Sequence, residues 1–445
     1  MVDFAAIRGE FPILDQDIHG HPLVYLDSAA TSQKPQCVID AESEFYRTIN
    51  AGVHRGAHEL AARSTMAFED ARAKVARLVG ANAEEGEEEI VVTAGATAGL
   101  NLLATAFGNA SLGRGGAAAQ RFALKQGDEI VVSKAEHHSV LLPFQELAAR
   151  TGATLKWLEL TEDGRVRTDD LDEIITERTK VVAVTHVGNV TGAITDIAPI
   201  IRRTHEVGGV FVLDACQSVP HLKVDFHALD VDFAAWSAHK MYGPTGVGFL
   251  YGKREMLEAL PPASFGGSMV ELAWMDQPAQ YMLPPARFEA GTQPVAQVVA
   301  AGVAAEWMMS IGMDQLEAHE RKLTGELLKM GDIEGIRILA HVRMPTASVL
   351  LPSTSMAFTR MMSVNSSMRR ASPSVSAIIA HNPCTVTSAC TPRTVRPAAC
   401  ITMSRISTHC WMHWARCVRS SAHDGRGKIR GRKGTRYERF RHGRR

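Results

Sequence analysis

The sequence predicts an α/β protein with a mostly parallel sheet, and three patterns carry that prediction. Short apolar segments end in polar residues, which is typical of strands buried on both faces. Amphipathic stretches with helical spacing lie between these segments and close on glycine. The two kinds of segment alternate along the first 339 residues. This is the βαβ order, in which helices cover both faces of the sheet.

Five segments have the pattern of buried strands, in chain order EEIVVTAG, DEIVVSKAE, KVVAVTHV, GVFVLDACQ and VDFAAWSA. Two stretches between them are predicted helices, SVLLPFQELAARTG and DIAPIIRRTHEVGG. The stretch SLGRGGAAAQRFA (111–123) resembles an insertion and is predicted to be a surface loop. Sheets of this kind place ligands beyond the carboxyl ends of their strands. Functional residues are therefore expected at the polar strand ends.

Composition bounds the class of protein and changes near residue 340. A chain of 445 residues is long enough for two domains. The sequence shows no charged-then-apolar leader and no apolar run that would cross a bilayer, so a cytoplasmic protein outside the membrane is expected. Residues 340–445 hold 19 of the 48 Lys and Arg but only two of the 48 Asp and Glu, so this tail carries +17 and the preceding chain −17. The 7 cysteines form no disulfide framework or metal-type spacing.

Asp214 and Lys240 follow two of the predicted strands. Lys240 lies in WSAHKMYGPTG (236–246), where Ser237 and His239 place a hydroxyl and an imidazole beside the amine. A carboxylate at a strand end is often only a helix cap, and an isolated lysine there is usually a surface charge. The grouping of hydroxyl, imidazole and amine before a glycine-rich turn instead suits a phosphate next to an aldehyde.

Two further strand ends add to this pattern. TAGATAGLN (93–101) links a strand to a helix through small residues, and the free N–H groups of a helix N-terminus favour phosphate. Alone, such a turn is a weak signal. KAEHHS supplies His137 and His138; a histidine there is more often a core or cap residue, but an imidazole can also stack on a heteroaromatic ring. Together the four strand ends outline a cofactor site.

Seven segments, in order, resemble the pyridoxal-phosphate-dependent cysteine desulfurases, and most of all the SUF-type (group II) enzymes that take sulfur from L-cysteine for iron–sulfur cluster assembly. The segments are LDSAAT (26–31), NAGVHRGAHELAARST (50–65), AEHHS (135–139), THVGNVTG (185–192), LDACQSVPH (213–221), WSAHKMYGPTG (236–246) and RFEAGTQP (287–294). The resemblance implies a homodimer of the type I fold of such enzymes. It implies an N-terminal segment (1–20), a large pyridoxal-phosphate-binding domain (21–294) and the start of a smaller C-terminal domain (295–339).

The resemblance also implies roles for four residues that face the cofactor ring. Lys240 is expected to bind the cofactor aldehyde covalently and, once released, to move the proton of the substrate Cα. Asp214 is expected to pair with the pyridinium nitrogen, which keeps the ring able to accept electrons. Gln217 is expected to hydrogen-bond the phenolic oxygen, and His137 to lie on the ring face and handle protons.

Other expected roles concern the phosphate and the substrate. Four residues are expected to hold the phosphate, the last of them from the neighbouring subunit: Thr97, Ser237, His239 and Thr292. Asn189 is expected beside the ring and the substrate carboxylate, and His54 and Arg55 near the mouth of the site. Ala96 departs from the family, which commonly has two consecutive threonines here, and the missing hydroxyl is expected to weaken phosphate binding modestly.

The catalytic cysteine of a desulfurase has no counterpart in the expected place. This mobile-loop residue attacks the substrate sulfur and holds it as a persulfide. SUF-type members often carry it in a Gly-His-His-Cys stretch, followed by an arginine that clamps the substrate carboxylate. After residue 339 the chain instead becomes rich in Ser, Met, Arg and Cys and loses its periodicity. Residues 340–445 are therefore expected to be an aberrant, disordered tail that disrupts the smaller domain, and nothing around Cys384 resembles the family loop.

A one-base frameshift would account for the tail. SAIIAHNPCTV (376–386) can be encoded so that the bases, regrouped one position out of step, read Gly-His-His-Cys-Ala-Gln-Pro-Leu-His-Arg. The same offset permits a desulfurase-like sequence for 354–367 and an amphipathic helix for 402–415. The alternative is a genuine tail whose arginine-rich end (426–445) binds nucleic acid. Arginine enrichment is also what an out-of-frame GC-rich gene produces.

Two classes of function remain after the sequence is considered. The first is a cysteine desulfurase, inactive as written, with selenocysteine lyase as a near variant. The second is a non-catalytic pyridoxal-phosphate-binding remnant. Another class-V aminotransferase-type enzyme would share Lys240 and Asp214, but the EHH and RFEAGT segments disfavour it. The expected partners are L-cysteine, a second copy of the chain and a SUF sulfur acceptor; no metal, membrane or nucleic acid is expected.

Overall fold

A seven-stranded sheet lies at the centre of the fold in the computed structural model, which describes residues 2–82, 86–162 and 164–332 and the backbone of four short strands beyond them. The strands are β1 Asp17–Ile18, β2 His21–Pro22, β3 Ile90–Thr93, β4 Glu129–Ser133, β5 Thr154–Leu158, β6 Thr179–Thr185, β7 Val210–Asp214, β8 Phe233–Ser237, β9 Gly248–Gly252, β10 Val270–Leu272, β11 Gln280–Tyr281, β12 Ile336–Ile338, β13 Met361–Val364, β14 Ser376–Ile379 and β15 Val386–Ala389.

The helices are α1 Phe4–Arg8, α2 Gln36–Thr48, α3 Glu59–Leu78, α4 Ala96–Ser111, α5 His138–Thr151, α6 Leu171–Ile174, α7 Ile197–Glu206, α8 Arg254–Ala259, α9 Val295–Ile311 and α10 Met313–Leu328. Short 3-10 turns lie at Pro12–Asp15, Gly86–Glu89, Ala118–Phe122, Ala238–Lys240, Ala286–Phe288 and Lys329–Asp332. Within the described residues no single helix has the length and apolar composition of a membrane span, although α9 and α10, bent by 75° at their junction, meet both criteria together.

The central sheet has the strand order β3-β9-β8-β7-β6-β4-β5. Its pairs are parallel except for the two that include β9, so β9 alone runs against the other six strands. All five strands predicted from the sequence form, and the predicted mostly parallel sheet is confirmed. Because the other six strands share one direction, their carboxyl ends meet at the same edge of the sheet.

Strand β7 shows why these segments read as uninterrupted apolar runs. All five of its residues are buried. Phe211 and Leu213 join the apolar cluster on one face, while Val210 and Val212 join the cluster on the other, as the two-residue period of a strand requires. Helices α3, α7 and α9 supply the first cluster, and α4 and α5 the second. The sheet is therefore a middle layer covered on both faces.

Both predicted helices form and end as predicted. Helix α5 is capped at its C-terminus by Gly152, whose φ of 76° lies in the left-handed region that glycine reaches without strain. Helix α7 is followed by Gly208, with a φ of 73°. The prediction of a surface loop at 111–123 is only partly right, because Ala119 and Phe122 are buried. The ring of Phe122 stacks on Phe107 of α4 with centroids 5.3 Å apart, so apolar burial ties down the end of this stretch.

Beyond residue 332 the structure describes four strand backbones, which form one antiparallel sheet in the order β12-β13-β14-β15. The rest of 340–445 lies outside the described residues. The predictions of an aberrant tail and a disrupted smaller domain fall largely on these residues and stay predictions.

Candidate active site

Four strand ends converge on one edge of the sheet and carry most of the residues predicted from the sequence. Strands β7 and β8 pair in parallel with Asp214 opposite Ala235. The chain then passes from Ser237, the last residue of β8, into a 3-10 turn that ends at Lys240. His137 follows β4, and the N-terminus of α4 follows β3. Residues far apart in the sequence thus share one site.

Asp214 and Lys240 are two charged residues at the centre of this edge. Asp214 is 5% exposed, and its Oδ1 accepts a hydrogen bond of 2.9 Å from the backbone N–H of Cys216. Within the described residues no cation forms an ion pair with this carboxylate, and no hydrogen bond engages the amine of Lys240. A buried carboxylate without a cation is costly. A cationic ring nitrogen would relieve that cost.

The charges of Asp214 and Lys240 both affect the pKa of His137. Burial, together with the charge of Lys240, lowers the pKa of its imidazole, while Asp214 acts in the opposite direction. The imidazole is therefore largely neutral near pH 7 and able to accept a proton. His137 caps α5 and hydrogen-bonds the Ser139 hydroxyl through Nδ1 at 2.9 Å. The Ser139 and Thr97 hydroxyls lie 2.6 Å apart, which joins the helix starts of α4 and α5.

The turn predicted to bind phosphate lies at the N-terminus of α4. Gly95, at its N-cap, has a φ of 137°, and the Ala96 N–H donates to the Ser237 hydroxyl at 2.9 Å. A Cβ on Gly248 of β9 would lie 2.5 Å from the Gly95 Cα, so only glycine permits this approach of the turn to the sheet. Thr97 is exposed at the helix start. The turn presents helix N–H groups beside hydroxyls, which is the chemistry of a phosphate site.

Gln217 and His239 complete the group around Lys240. Gln217 is 3% exposed and donates from Nε2 to the Ala29 carbonyl at 3.0 Å, while its Oε1 is buried without a hydrogen-bond partner among the described residues. An orphaned buried oxygen of this kind indicates a missing partner. Burial and the charges of Lys240 and Lys34 lower the pKa of His239 to about 4, so its imidazole is neutral.

Four predicted residues lie apart from this group in the described part of the chain. Asn189 is half-buried in the turn after β6, and Thr292 is exposed after the 3-10 turn that ends at Phe288. His54 and Arg55 are also exposed; Arg55 donates to the Val270 carbonyl of β10 at 3.3 Å. In the described part of the chain no hydrogen bond or ion pair joins any of the four to Lys240 or Asp214. Their predicted roles stay predictions.

A buried ion-pair network holds two of these outlying segments. Arg72 of α3 is 2% exposed and pairs with Glu289 at 2.6 Å and with Glu69 at 2.8 Å. Glu289 also accepts from the Val92 N–H at 2.7 Å, which attaches the segment before Thr292 to β3. His54 hydrogen-bonds Glu69 at 2.7 Å. Burial opposes ionisation of Glu69, but His54 and Arg72 outweigh it and lower the pKa to about 2.

Glu136 and Ser139 are polar residues of the site that the sequence patterns did not single out. Glu136 accepts hydrogen bonds from the Ser133 hydroxyl and from the Thr185 N–H at 2.9 Å, so it joins the ends of β4 and β6. Burial raises the pKa of Glu136 to about 8, and Asp214 adds to the rise. Both residues flank the histidines of AEHHS, which was the available signal.

The aminotransferase class-V family matches residues 24–357. The chain belongs to the aminotransferase class-V family. A probable cysteine desulfurase of Streptomyces coelicolor is 46% identical over 76% of this chain and 79% of its own length. Probable cysteine desulfurase 2 of Mycobacterium leprae is 47% identical over 76% of this chain and 78% of its own. The predicted resemblance to cysteine desulfurases is confirmed.

Solved structures of cysteine desulfurases share the fold of this chain. A cysteine desulfurase from Escherichia coli in an S-sulfonic acid form has a TM-score of 0.66 at 37% identity, covering 76% of this chain and 80% of its own. The apo cysteine desulfurase of Thermococcus onnurineus has a TM-score of 0.71 at 31% identity, covering 83% of each chain. A further neighbour, with glycine linked to its pyridoxal phosphate, is 20% identical and shares the fold, with a TM-score of 0.64.

This class-V chain is a pyridoxal-phosphate-dependent enzyme. Its residues fit the cofactor on four structural observations. The Lys240 amine is unengaged within the described residues, and the buried Asp214 lacks a cation there. The buried Gln217 Oε1 has no hydrogen-bond partner among the described residues, and glycine at position 95 leaves the turn before α4 open beside Ser237. The predicted cofactor and the type I fold are confirmed.

Proposed function

We propose that this chain is, by descent, a cysteine desulfurase that takes sulfur from L-cysteine and leaves L-alanine. The observation that carries the proposal is the placement of Lys240 and Asp214 at the ends of the paired strands β8 and β7. His137 lies close enough for both charges to act on its imidazole. The names of the relatives supply the substrate. Pyridoxal phosphate, when bound, supplies a ring that withdraws electrons from the substrate Cα.

Four residues divide the work around that ring. Lys240 binds the cofactor aldehyde and, when released, accepts the proton from the substrate Cα. Asp214 holds a proton on the ring nitrogen, because its buried carboxylate favours a nearby cation. Gln217 binds the phenolic oxygen. His137, neutral near pH 7, accepts or returns a proton above the ring.

Further residues hold the phosphate and the substrate in this proposal. Thr97, Ser237 and His239 bind the phosphate together with Thr292 from a second copy of the chain. The Arg72–Glu289 network supports the start of the segment that carries Thr292. Asn189, His54 and Arg55 line the substrate side. We place the enzyme in the SUF-type group, as a cytoplasmic homodimer that passes sulfur to an acceptor protein.

We further propose that the chain as written does not turn over cysteine. Only two of its cysteines lie in the described residues, and neither suits the nucleophile. Burial raises the pKa of Cys216 to about 12, and burial with the nearby Glu10 charge also raises the pKa of the exposed Cys37. Both are thiols near pH 7, and the thiolate is the reactive form. In this proposal a one-base frameshift near residue 340 puts the catalytic loop out of frame, which would remove the persulfide cysteine from the chain.

The test uses the full 445-residue chain, purified with pyridoxal phosphate, reduced with borohydride and mapped by peptide mass. We expect the reduced cofactor on Lys240, and no label in Lys240→Ala. L-cysteine should yield neither alanine nor sulfide. A second chain, with one base restored near codon 340, should carry the same label and release alanine. Label without alanine from the restored chain would contradict the desulfurase assignment.

The nucleotide sequence across codons 337–343 decides the frameshift separately. The proposal also requires that the bases of codons 376–386, regrouped one position out of step, spell the Gly-His-His-Cys stretch. If they do not, the tail is a genuine extension. In that case colour without turnover favours the second candidate, a pyridoxal-phosphate-binding remnant, which the buried and protonated Cys216 also favours.

A further inference from the structure

The carbonyl of His239, one residue before Lys240, is bound by a distant segment of the chain. It accepts hydrogen bonds from the Ser32 N–H at 3.0 Å, the Ser32 hydroxyl at 3.0 Å and the Thr31 hydroxyl at 3.1 Å. The Lys34 amine donates to the same oxygen at 3.0 Å. A carbonyl oxygen offers two lone pairs, so four donors fix its position far more tightly than an ordinary turn requires.

The same segment also holds the other side of Lys240. The Ser32 hydroxyl accepts a hydrogen bond of 2.8 Å from the Tyr242 N–H. Tyr242 has a φ of 64°, a left-handed conformation that persists in a bulky residue only where its surroundings determine it. Residues 31–34 therefore contact the backbone both immediately before and two residues after the cofactor lysine. No sequence pattern near Lys240 indicates this contact, because the segments lie about 200 residues apart.

Lys34 is an unusual donor for this purpose. It is half-buried, and its amine also donates to the Ser32 carbonyl. Among the described residues no carboxylate forms an ion pair with it. Burial lowers its pKa to about 8, and its charge contributes to the lowered pKa of His239. Partial burial of an amine that binds only two carbonyls costs free energy. We infer that the contacts of Lys34 matter for the turn that they hold.

We propose that Lys34 is a positioning residue for Lys240. Together with Thr31 and Ser32 it fixes the His239 carbonyl, and so the point on the backbone from which the Lys240 side chain reaches the cofactor aldehyde. The inference rests on the cofactor role proposed for Lys240. Lys34 itself touches neither the aldehyde nor the substrate in this proposal; it acts through the turn.

The experiment compares Lys34→Met, which keeps the length but removes charge and donors, with Lys34→Arg, which keeps both. Lys125→Met, at an exposed lysine outside the site, is the matched control. Each full-length chain is stripped of cofactor, and two quantities are measured: the dissociation constant for added pyridoxal phosphate and the rate of borohydride-trapped labelling of Lys240. Thermal unfolding of the cofactor-free chains shows whether folding itself has changed.

We expect Lys34→Met to weaken cofactor binding and slow labelling by about tenfold or more, as for the loss of one charge-assisted hydrogen bond. Lys34→Arg should recover most of both, and Lys125→Met should match the parent. Wild-type label on Lys240 with unchanged constants in Lys34→Met would overturn the inference and leave the Lys240 role intact. Absence of label in the wild type would instead overturn that role. If Lys34→Met does not fold, Thr31→Val decides, and unchanged constants there refute the inference.

Discussion

Glu136→Gln tests whether the carboxyl beside His137 is protonated in the folded chain. Its Oε1 accepts hydrogen bonds from the Ser133 hydroxyl and the Thr185 N–H, but its Oε2 is buried without a partner in the described residues. Burial, assisted by the Asp214 charge, raises the pKa to about 8 from the ordinary value of 4.5. Glutamine has nearly the same shape and cannot ionise.

The direction of the effect follows from the raised pKa. Between pH 4.5 and 8 the folded chain keeps a proton on Glu136 that the unfolded chain releases, so this carboxyl's contribution falls as pH rises. Each pH unit in that window costs about 1.4 kcal/mol. At pH 7 the loss is therefore at most about 3.4 kcal/mol, an upper limit because Glu136 as a whole is only half-buried and solvent screens its charge. Glu136→Gln should stabilise the chain by up to that amount at pH 7 and hardly at all near pH 4.5.

The assay is thermal unfolding of the cofactor-free chain, wild type against variant, in steps from pH 5 to 8. The difference in midpoint between the two chains should widen steadily with pH. Glu129→Gln, at the start of β4, the strand before Glu136, is the opposite control. Hydrogen bonds and the charges of Lys156 and Arg178 outweigh its burial and lower its pKa, so this variant should be less stable than the wild type near neutral pH. A Glu136→Gln difference that stays constant with pH would show that Glu136 is already ionised.

Two other changes test the packing that supports the site. Gly302→Ala should destabilise the chain by about 1–3 kcal/mol, because its Cβ would lie 2.6 Å from the α3 backbone. Gly325→Ala is the control: it has open space around it and should change stability little or raise it by up to about 1 kcal/mol. Chemical denaturation of both variants checks this, and equal losses would contradict the close helix contact. Arg72→Met should lower the free energy of unfolding by roughly 3–5 kcal/mol, since it leaves Glu289 buried without its cation. Arg150→Met breaks an exposed ion pair and should change stability by less than about 1 kcal/mol. A small loss in Arg72→Met would show that Glu289 takes up a proton or moves to solvent.

The strands that the sequence revealed are those buried on both faces, where continuous apolar runs leave no ambiguity. Strand β5 was missed because its burial is partial and a lysine and a tryptophan interrupt it at the sheet edge. Strand β9 was missed because a short GFLYG segment close behind β8 does not fit the βαβ alternation, and it runs antiparallel. Periodicity reports burial, and it says little where burial is one-sided or the connection is short.

The same distinction separates the site residues that were found from those that were not. Lys240, Asp214 and His137 each follow a recognisable strand, so the topology alone predicts that they share an edge. Lys34 and Glu136 make contacts with segments remote in the chain. The AEHHS motif marks the neighbourhood of Glu136 but not its contacts, and the residues around Lys34 give no sign of theirs. Their importance lies in hydrogen-bond geometry, which only folding reveals.

The placement of the cofactor residues also explains how binding and turnover can separate in this chain. Lys240, Asp214, Gln217 and the phosphate turn all come from one sheet edge before residue 295. The persulfide cysteine and the carboxylate-clamping arginine that the family resemblance requires would both come from beyond residue 339. A change confined to the later residues therefore leaves the cofactor's donors in place while removing the group that takes the sulfur. Bound cofactor without alanine release is therefore the result that we expect from this chain, and colour by itself would be no evidence of a working desulfurase.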